Sequence, residues 1–249
     1  MPIEASRGPI IPIPEATAAA RLEAAIGGER RSVSSIVVKV AVRSGSECQY
    51  GFHARSDPSR HRSRVRLHRS GRACRRFFFS NAMLELLWLE DEAQARSDQT
   101  RATRLWERLS SDVSPFGIIL RPAPGSDPAC PWMSWSCRPQ EMPGLELEIA
   151  ADTELEEPMW CYLKRGRAPA EWPAERRQPL DHPAGFREIT RVLIGCRSVR
   201  EGSVTSIMAQ SGVVAVQTGR EHSLELEFDG GSKGTTLDFR PTLPLILRA

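Results

Sequence analysis

The sequence predicts an α+β fold, with one face of an antiparallel sheet covered by a few short helices. Three observations carry this. Strand-like stretches outnumber helix-like ones, and the order strand, helix, several strands returns in the last third of the chain. In addition, "GLELEIA" (144–150) and "SLELEFD" (223–229) alternate apolar and acidic residues with a period of two. Successive side chains of a strand point to opposite faces, so such a strand rests on a core with one face only.

Residues 1–14 are Pro-rich and predict no packed element. "EATAAARLEAAIGG" (15–28) predicts a short helix, because Ala favours helix and Gly27-Gly28 ends it. "SIVVKVAV" (35–42) is β-branched and predicts a strand. From His53 to Arg76 nine Arg stand against one acid, Asp57, with few apolar residues. That composition predicts loop or disorder. A basic arm can bind phosphates, but this run has neither interleaved aromatics nor a recognition helix, so nucleic acid is not an expected partner.

"RFFFSNAMLELLWLED" predicts two strands around a Ser80-Asn81 turn. "RATRLWERL" (101–109) places Leu105, Trp106 and Leu109 on one helical face. "FGIILRPA" (116–123) predicts a strand stopped by Pro122, 124–143 a loop, and 144–152 a strand. "PMWCYL" (158–163) is apolar and leads into a polar connection through Pro183. Strands are predicted over 187–196, 213–219 and 222–231, with a short helix over 203–212 and a strand or extended tail over 235–241.

The six cysteines are scattered without a C-x-x-C pair, which predicts neither a disulfide framework nor a zinc knuckle. No apolar run approaches the ~18–20 residues that span a bilayer, and the N-terminus has no signal-peptide core. A soluble cytoplasmic protein with no membrane partner is the expectation. No phosphate loop, G-x-G-x-x-G or G-x-S-x-G motif occurs.

In "MLELLWLE" Leu84, Leu86 and Trp88 share one face, while Glu85 shares the other with Met83, Leu87 and Leu89. A carboxylate among apolar side chains is costly unless it is paired, hydrogen-bonded or metal-bound. Glu85 is therefore a metal ligand, a hydrogen-bonded or protonated carboxyl, a residue at a strand end reaching the rim, or the partner of one of the many arginines.

"ACRRFFFSNAMLELLWLEDEAQARS", "TRLWERLSSDVSPFGIILRP", "HPAGFREITRV" and "SLELEFDGGSKGTTLDFRPTLPL" together resemble a glyoxalase-like protein of the vicinal oxygen chelate (VOC) superfamily. The resemblance covers 71–249 and implies paired βαβββ modules curled around a cavity, the first incomplete or atypical and the second starting at about 186. Residues 1–70 form an atypical N-terminal region outside it. That region is either a solvated arm or an N-terminus altered by a misread frame. A truncated first module would bare a sheet edge and apolar surface, which predicts either poor solubility or a homodimer.

The resemblance also implies that the Glu of a Leu-Glu-Leu strand coordinates a divalent metal, which makes Glu85 and Glu225 the metal candidates. The histidines of metal-using members have no match: Phe116 and Thr190-Arg191 stand where they are expected. One carboxylate is not a metal site, since a catalytic centre needs about three protein ligands. The resemblance thus points to binding of a small organic molecule with no resident cofactor and an incomplete metal site. The alternative it leaves is a metal-dependent lyase, isomerase or dioxygenase. Glu227 beside Glu225, His222 before the same strand, and Trp132 and Trp135 in "WMSW" are the cavity-lining candidates. "DHPAG" (181–185) sets Asp181 beside His182 in a turn.

Overall fold

The computed structural model describes residues 36–42, 66–68, 72–139 and 142–249. The predicted helix over 15–28 lies outside these residues, as does most of the basic run. The chain forms a mixed α+β structure with an eight-stranded and a five-stranded sheet. Among the described residues, no helix is long and apolar enough to cross a membrane.

The eight-stranded sheet contains β1 (Ile36–Val42), β2 (Arg66–His68), β3 (Arg72–Phe78), β4 (Met83–Leu89), β5 (Phe116–Leu120), β6 (Ser134–Cys137), β7 (Leu147–Ala150) and β8 (Met159–Tyr162). Its order is β2-β3-β4-β1-β5-β8-β7-β6. In each half the first strand runs parallel to the fourth, β1 with β4 and β5 with β8. The remaining pairs in each half are antiparallel hairpin neighbours. The halves join through an antiparallel β1–β5 pair.

The expected strand over 35–42 is therefore a central strand, and the sheet draws on both sides of residue 70. Two loop expectations need correction. β2 and β3 run through the basic segment, and β6 lies within 124–143. Strand pairing uses backbone groups, so a sheet edge and its neighbour tolerate polar side chains that an apolar-pattern reading dismisses.

After β4 come three short helices, α1 (Glu92–Ala95), α2 (Asp98–Arg101) and α3 (Leu105–Ser110). The Asp91 carboxylate caps α1 by accepting from the Gln94 amide at 3.0 Å. The single helix expected over 101–109 is interrupted, with Arg104 in the left-handed region at φ 49°. Leu105 and Leu109 still face inward and pack with Leu89.

The second sheet contains β9 (Ile189–Cys196), β10 (Ala215–Thr218), β11 (Ser223–Phe228), β12 (Thr236–Asp238) and β13 (Leu245–Arg248), in the order β10-β9-β11-β13-β12. Helix α4 (Val204–Gln210) connects β9 to β10 and is capped by Ser203, whose Oγ accepts from the Ser206 amide.

One core joins the two sheets. Val38, Val40, Leu84, Leu86, Phe116, Ile118 and Leu120 from the first pack with Val192, Ile194, Leu224, Leu226, Phe228 and Leu245 from the second. The turn between β3 and β4 pins the sheets together. Asn81 Nδ2 donates to the Ile189 carbonyl at 2.8 Å, and its Oδ1 accepts from the Ile189 amide at 3.0 Å. Loss of both bonds in Asn81→Ala is expected to cost about 2 kcal/mol, measured as a lower urea midpoint with an unchanged slope.

Candidate functional site

The β4 alternation places Leu84 and Leu86 in the core between the sheets and Glu85 on the opposite face. Glu85 is 2 % exposed, and Arg76, its cross-strand neighbour on β3, donates from Nε to Oε1 at 2.6 Å. Burial works against the Arg76 charge, but Glu85 holds the guanidinium pKa above its ordinary value. Among the alternatives left by the sequence, the structure has an arginine pair. On the other side of Glu85 the register sets Lys39 of β1.

Glu225 lies in the other sheet. On β11, Leu224, Leu226 and Phe228 enter the shared core, whereas Glu225 and Glu227 face away from it. Arg248 Nε pairs with Glu225 Oε1 at 2.7 Å across the parallel β11–β13 ladder. Glu227 Oε1 accepts from Thr190 Oγ1 at 3.3 Å. The two metal candidates are thus held separately, each by an arginine. Among the described residues, no group of three or more His, Cys, Asp or Glu side chains is placed to hold a metal ion.

The two tryptophans of "WMSW" also part company. Trp132 packs edge-on against Trp160 and Tyr162, at centroid distances of 6.4 and 5.8 Å, within the inter-sheet core. Trp135 sits on the other face of the sheet with Leu147, Ile149 and Cys161. Burial, with Cys130 and Asp127 nearby, pushes the Tyr162 hydroxyl up to about 12, so it stays protonated and can donate. Ser134 Oγ and Lys164 Nζ both donate to Glu148, at 2.8 and 2.6 Å. His182 Nε2–H donates to the Phe78 carbonyl at 2.8 Å while its ring lies against Phe79. That arrangement makes it an anchor for the connection between the sheets.

Sequence reasoning missed a buried polar cluster around Arg108. It forms where α3, the loop before β8, and the ends of β9 and β11 meet. Arg108, 4 % exposed, donates from Nη1 to the carbonyls of Ser114 and Glu157, each at 2.8 Å. Burial and the like charge of Arg104 push its pKa down to about 10, which leaves it charged at neutral pH. The Glu157 carboxylate accepts from the Arg200 amide at 2.8 Å. His222 Nε2 lies 3.1 Å from Glu156 Oε2, and Arg197 pairs with Asp112 nearby. Burial, above all, with Glu157 and Glu156 adding to it, pushes the Cys196 thiol up to about 12. The available signal was the run of acids in "ELEEP" (154–158) just before an apolar strand.

Burial lowers the His222 pKa from its ordinary value, with Arg197 adding to this and Glu156 and Asp112 opposing it. The folded state therefore prefers neutral imidazole. Its contribution to stability is complete above the unfolded value of about 6.5 and is lost as pH falls from there through the lower folded value. Urea melts from pH 7.5 to 5 should show stability falling with acidification, and His222→Gln should flatten that slope. Equal slopes in both proteins would contradict the assignment.

No family model and no curated protein matches this chain. Among solved structures, a hypothetical protein from Staphylococcus aureus is similar over 86 % of this chain and 98 % of its own, at 8 % identity and a TM-score of 0.39.

Proposed function

We propose that this chain is a glyoxalase-like protein of the VOC superfamily that binds a small organic molecule on its eight-stranded sheet, with an incomplete metal site. The observation that carries the reading is the repeated strand order, β2-β3-β4-β1 followed by β5-β8-β7-β6, joined through β1 and β5. Within each half the first strand runs parallel to the fourth, which agrees with the pairing of βαβββ modules. The repeat lies within one sheet and ends at Tyr162, so on this reading both modules precede residue 186 and the five-stranded sheet is an addition. Residues 121–133 between β5 and β6 form no helix, so the second repeat departs from the pattern there.

The residues on the fourth strands support the incomplete metal site. Glu85 lies on β4, but β8 reads "MWCY" and offers no carboxylate at any position. Arg76 already neutralises Glu85, as a cation would. A scaffold of this kind can hold a ligand by shape and hydrogen bonds alone, and fold by itself does not dictate chemistry.

Thermal melts of the protein in chelator against small carbonyl, carboxylate and phenolic compounds test this. A true ligand at a hundred times its Kd adds about 2.7 kcal/mol of stability. The expected result is saturable stabilisation by at least one compound, unchanged by chelator and weakened in Glu85→Gln. Stabilisation that requires an added divalent metal would overturn the reading in favour of a metalloenzyme.

A further inference from the structure

We propose that the Asp229–Gly230 peptide is a site of spontaneous covalent modification, the rearrangement of aspartate to isoaspartate, and that the folded corner between β11 and β9 holds it latched through Thr190. The proposal is independent of any ligand on the eight-stranded sheet and of the VOC reading.

The chemistry begins in the sequence. Asp229 is followed by Gly230, and no other Asp-Gly or Asn-Gly pair occurs in the chain. Glycine has no side chain to shield its amide nitrogen, so that nitrogen can attack the carboxyl carbon of the preceding aspartate. A bond forms from Gly230 N to Asp229 Cγ, and the amide proton leaves with the carboxyl hydroxyl as water. Water then reopens the five-membered imide. Cleavage of the bond to Cγ restores aspartate. Cleavage of the bond to the main-chain carbonyl carbon leaves the chain running through the β-carbon, as isoaspartate.

Asp229 stands where β11 ends, and the β9–β11 register shifts just before it, between Glu227 and Phe228. Its φ of 52° is in the left-handed region, uncommon for a residue with a side chain, and Gly230 and Gly231 follow at 69° each. Asp229 is half-buried and Gly230 is exposed, so solvent reaches the peptide that would react.

Both reacting groups are tied elsewhere. Gly230 N–H donates to Thr190 Oγ1 at 3.0 Å. The Asp229 carboxylate accepts from the amides of Arg187 and Glu188, the two residues that lead into β9, at 3.2 and 3.0 Å. The Asp229 amide donates to the Glu188 carbonyl at 3.0 Å. Ring closure requires Gly230 N to lose its proton and turn onto Cγ while one carboxyl oxygen departs. That breaks the bond to Thr190 and at least one of the bonds to the β9 approach. Isoaspartate adds one backbone atom at the corner and sets its carboxylate one carbon nearer the main chain. The original bonds then cannot all re-form, and the start of β9 is loosened.

The test follows isoaspartate at 229 by peptide mapping, where it keeps the mass of aspartate but changes retention and blocks an aspartate-directed protease. Folded full-length protein and the same protein unfolded in urea are aged side by side at one mildly acidic pH and one temperature. The unfolded chain is expected to accumulate isoaspartate at 229 ahead of every other aspartate. The folded protein should react about tenfold more slowly or less, since the corner must open first. Thr190→Ala, aged where its urea melt shows it folded, should react about three- to tenfold faster than folded wild type, the worth of one hydrogen bond. Thr190→Ser keeps the hydroxyl and should return to the wild-type rate. Equal rates in folded and unfolded wild type would overturn the proposal. So would a Thr190→Ala rate no faster than wild type, a Thr190→Ser rate equal to that of Thr190→Ala, or an unfolded chain that forms no isoaspartate at 229.

Discussion

Replacing Arg108 by methionine is expected to destabilise the protein by about 3–5 kcal/mol, the range for removing one member of a buried charged network. Methionine fills much of the space of the arginine stem but cannot donate. The Ser114 and Glu157 carbonyls, each 2.8 Å from the guanidinium, would lose that donor inside the structure. Buried acceptors left without a donor cost about 1–3 kcal/mol each. Arg108→Lys keeps the charge but not the planar fork that reaches two carbonyls at once, so it should recover only part of the loss. Urea denaturation of the three proteins measures this. A methionine variant within 1 kcal/mol of wild type would show that the α3-to-β8 contact carries little of the stability.

The second large effect is expected at Trp160, which is 0 % exposed and lies where the two sheets and α4 meet. Its ring packs against Trp132, and its Nε1–H donates to Thr205 Oγ1 at 2.8 Å. Trp160→Ala removes the largest fully buried side chain among the described residues and should cost about 3–5 kcal/mol through lost burial and the cavity left behind. It also strips the donor from the fully buried Thr205 hydroxyl. Trp160→Phe retains most of the apolar contact and loses the hydrogen bond, so a loss of about 2 kcal/mol is expected. Combining Trp160→Phe with Thr205→Val separates the two contributions. If the hydrogen bond matters, the valine change should cost less in the phenylalanine background than in wild type. Strict additivity would remove the bond from the account.

How much of this was legible in the sequence depended on whether the signal was local. β11 could be read almost completely, because "SLELEF" alternates and one face of the strand is buried. Glu85 stood out for the same reason, since its neighbours at i±2 are apolar, and pairing with an arginine was among the alternatives. Which arginine would supply the pair was not readable, because that depends on the β3–β4 register.

The four-residue β6, "SWSC", has no periodicity to detect at a sheet edge. β13 follows Pro244, and its interior place between β11 and β12 comes from non-local pairing. The similar Leu-Glu-Leu context of Glu85 and Glu225 suggested equivalent positions, yet period-two patterning marks a half-buried strand in any sheet. These two strands lie in different sheets. The junction around Arg108 was invisible because its partners at 154–157 lie 46–49 residues along the chain.

The central proposal is that Arg76 takes the place of a metal at the Glu85 carboxylate. Calorimetric titration of the purified, chelator-treated protein with zinc, nickel and manganese, repeated on Glu85→Gln, tests it most directly. The account predicts no stoichiometric uptake at micromolar concentrations and identical traces for both proteins. Stoichiometric binding by the wild type that disappears in Glu85→Gln would contradict it.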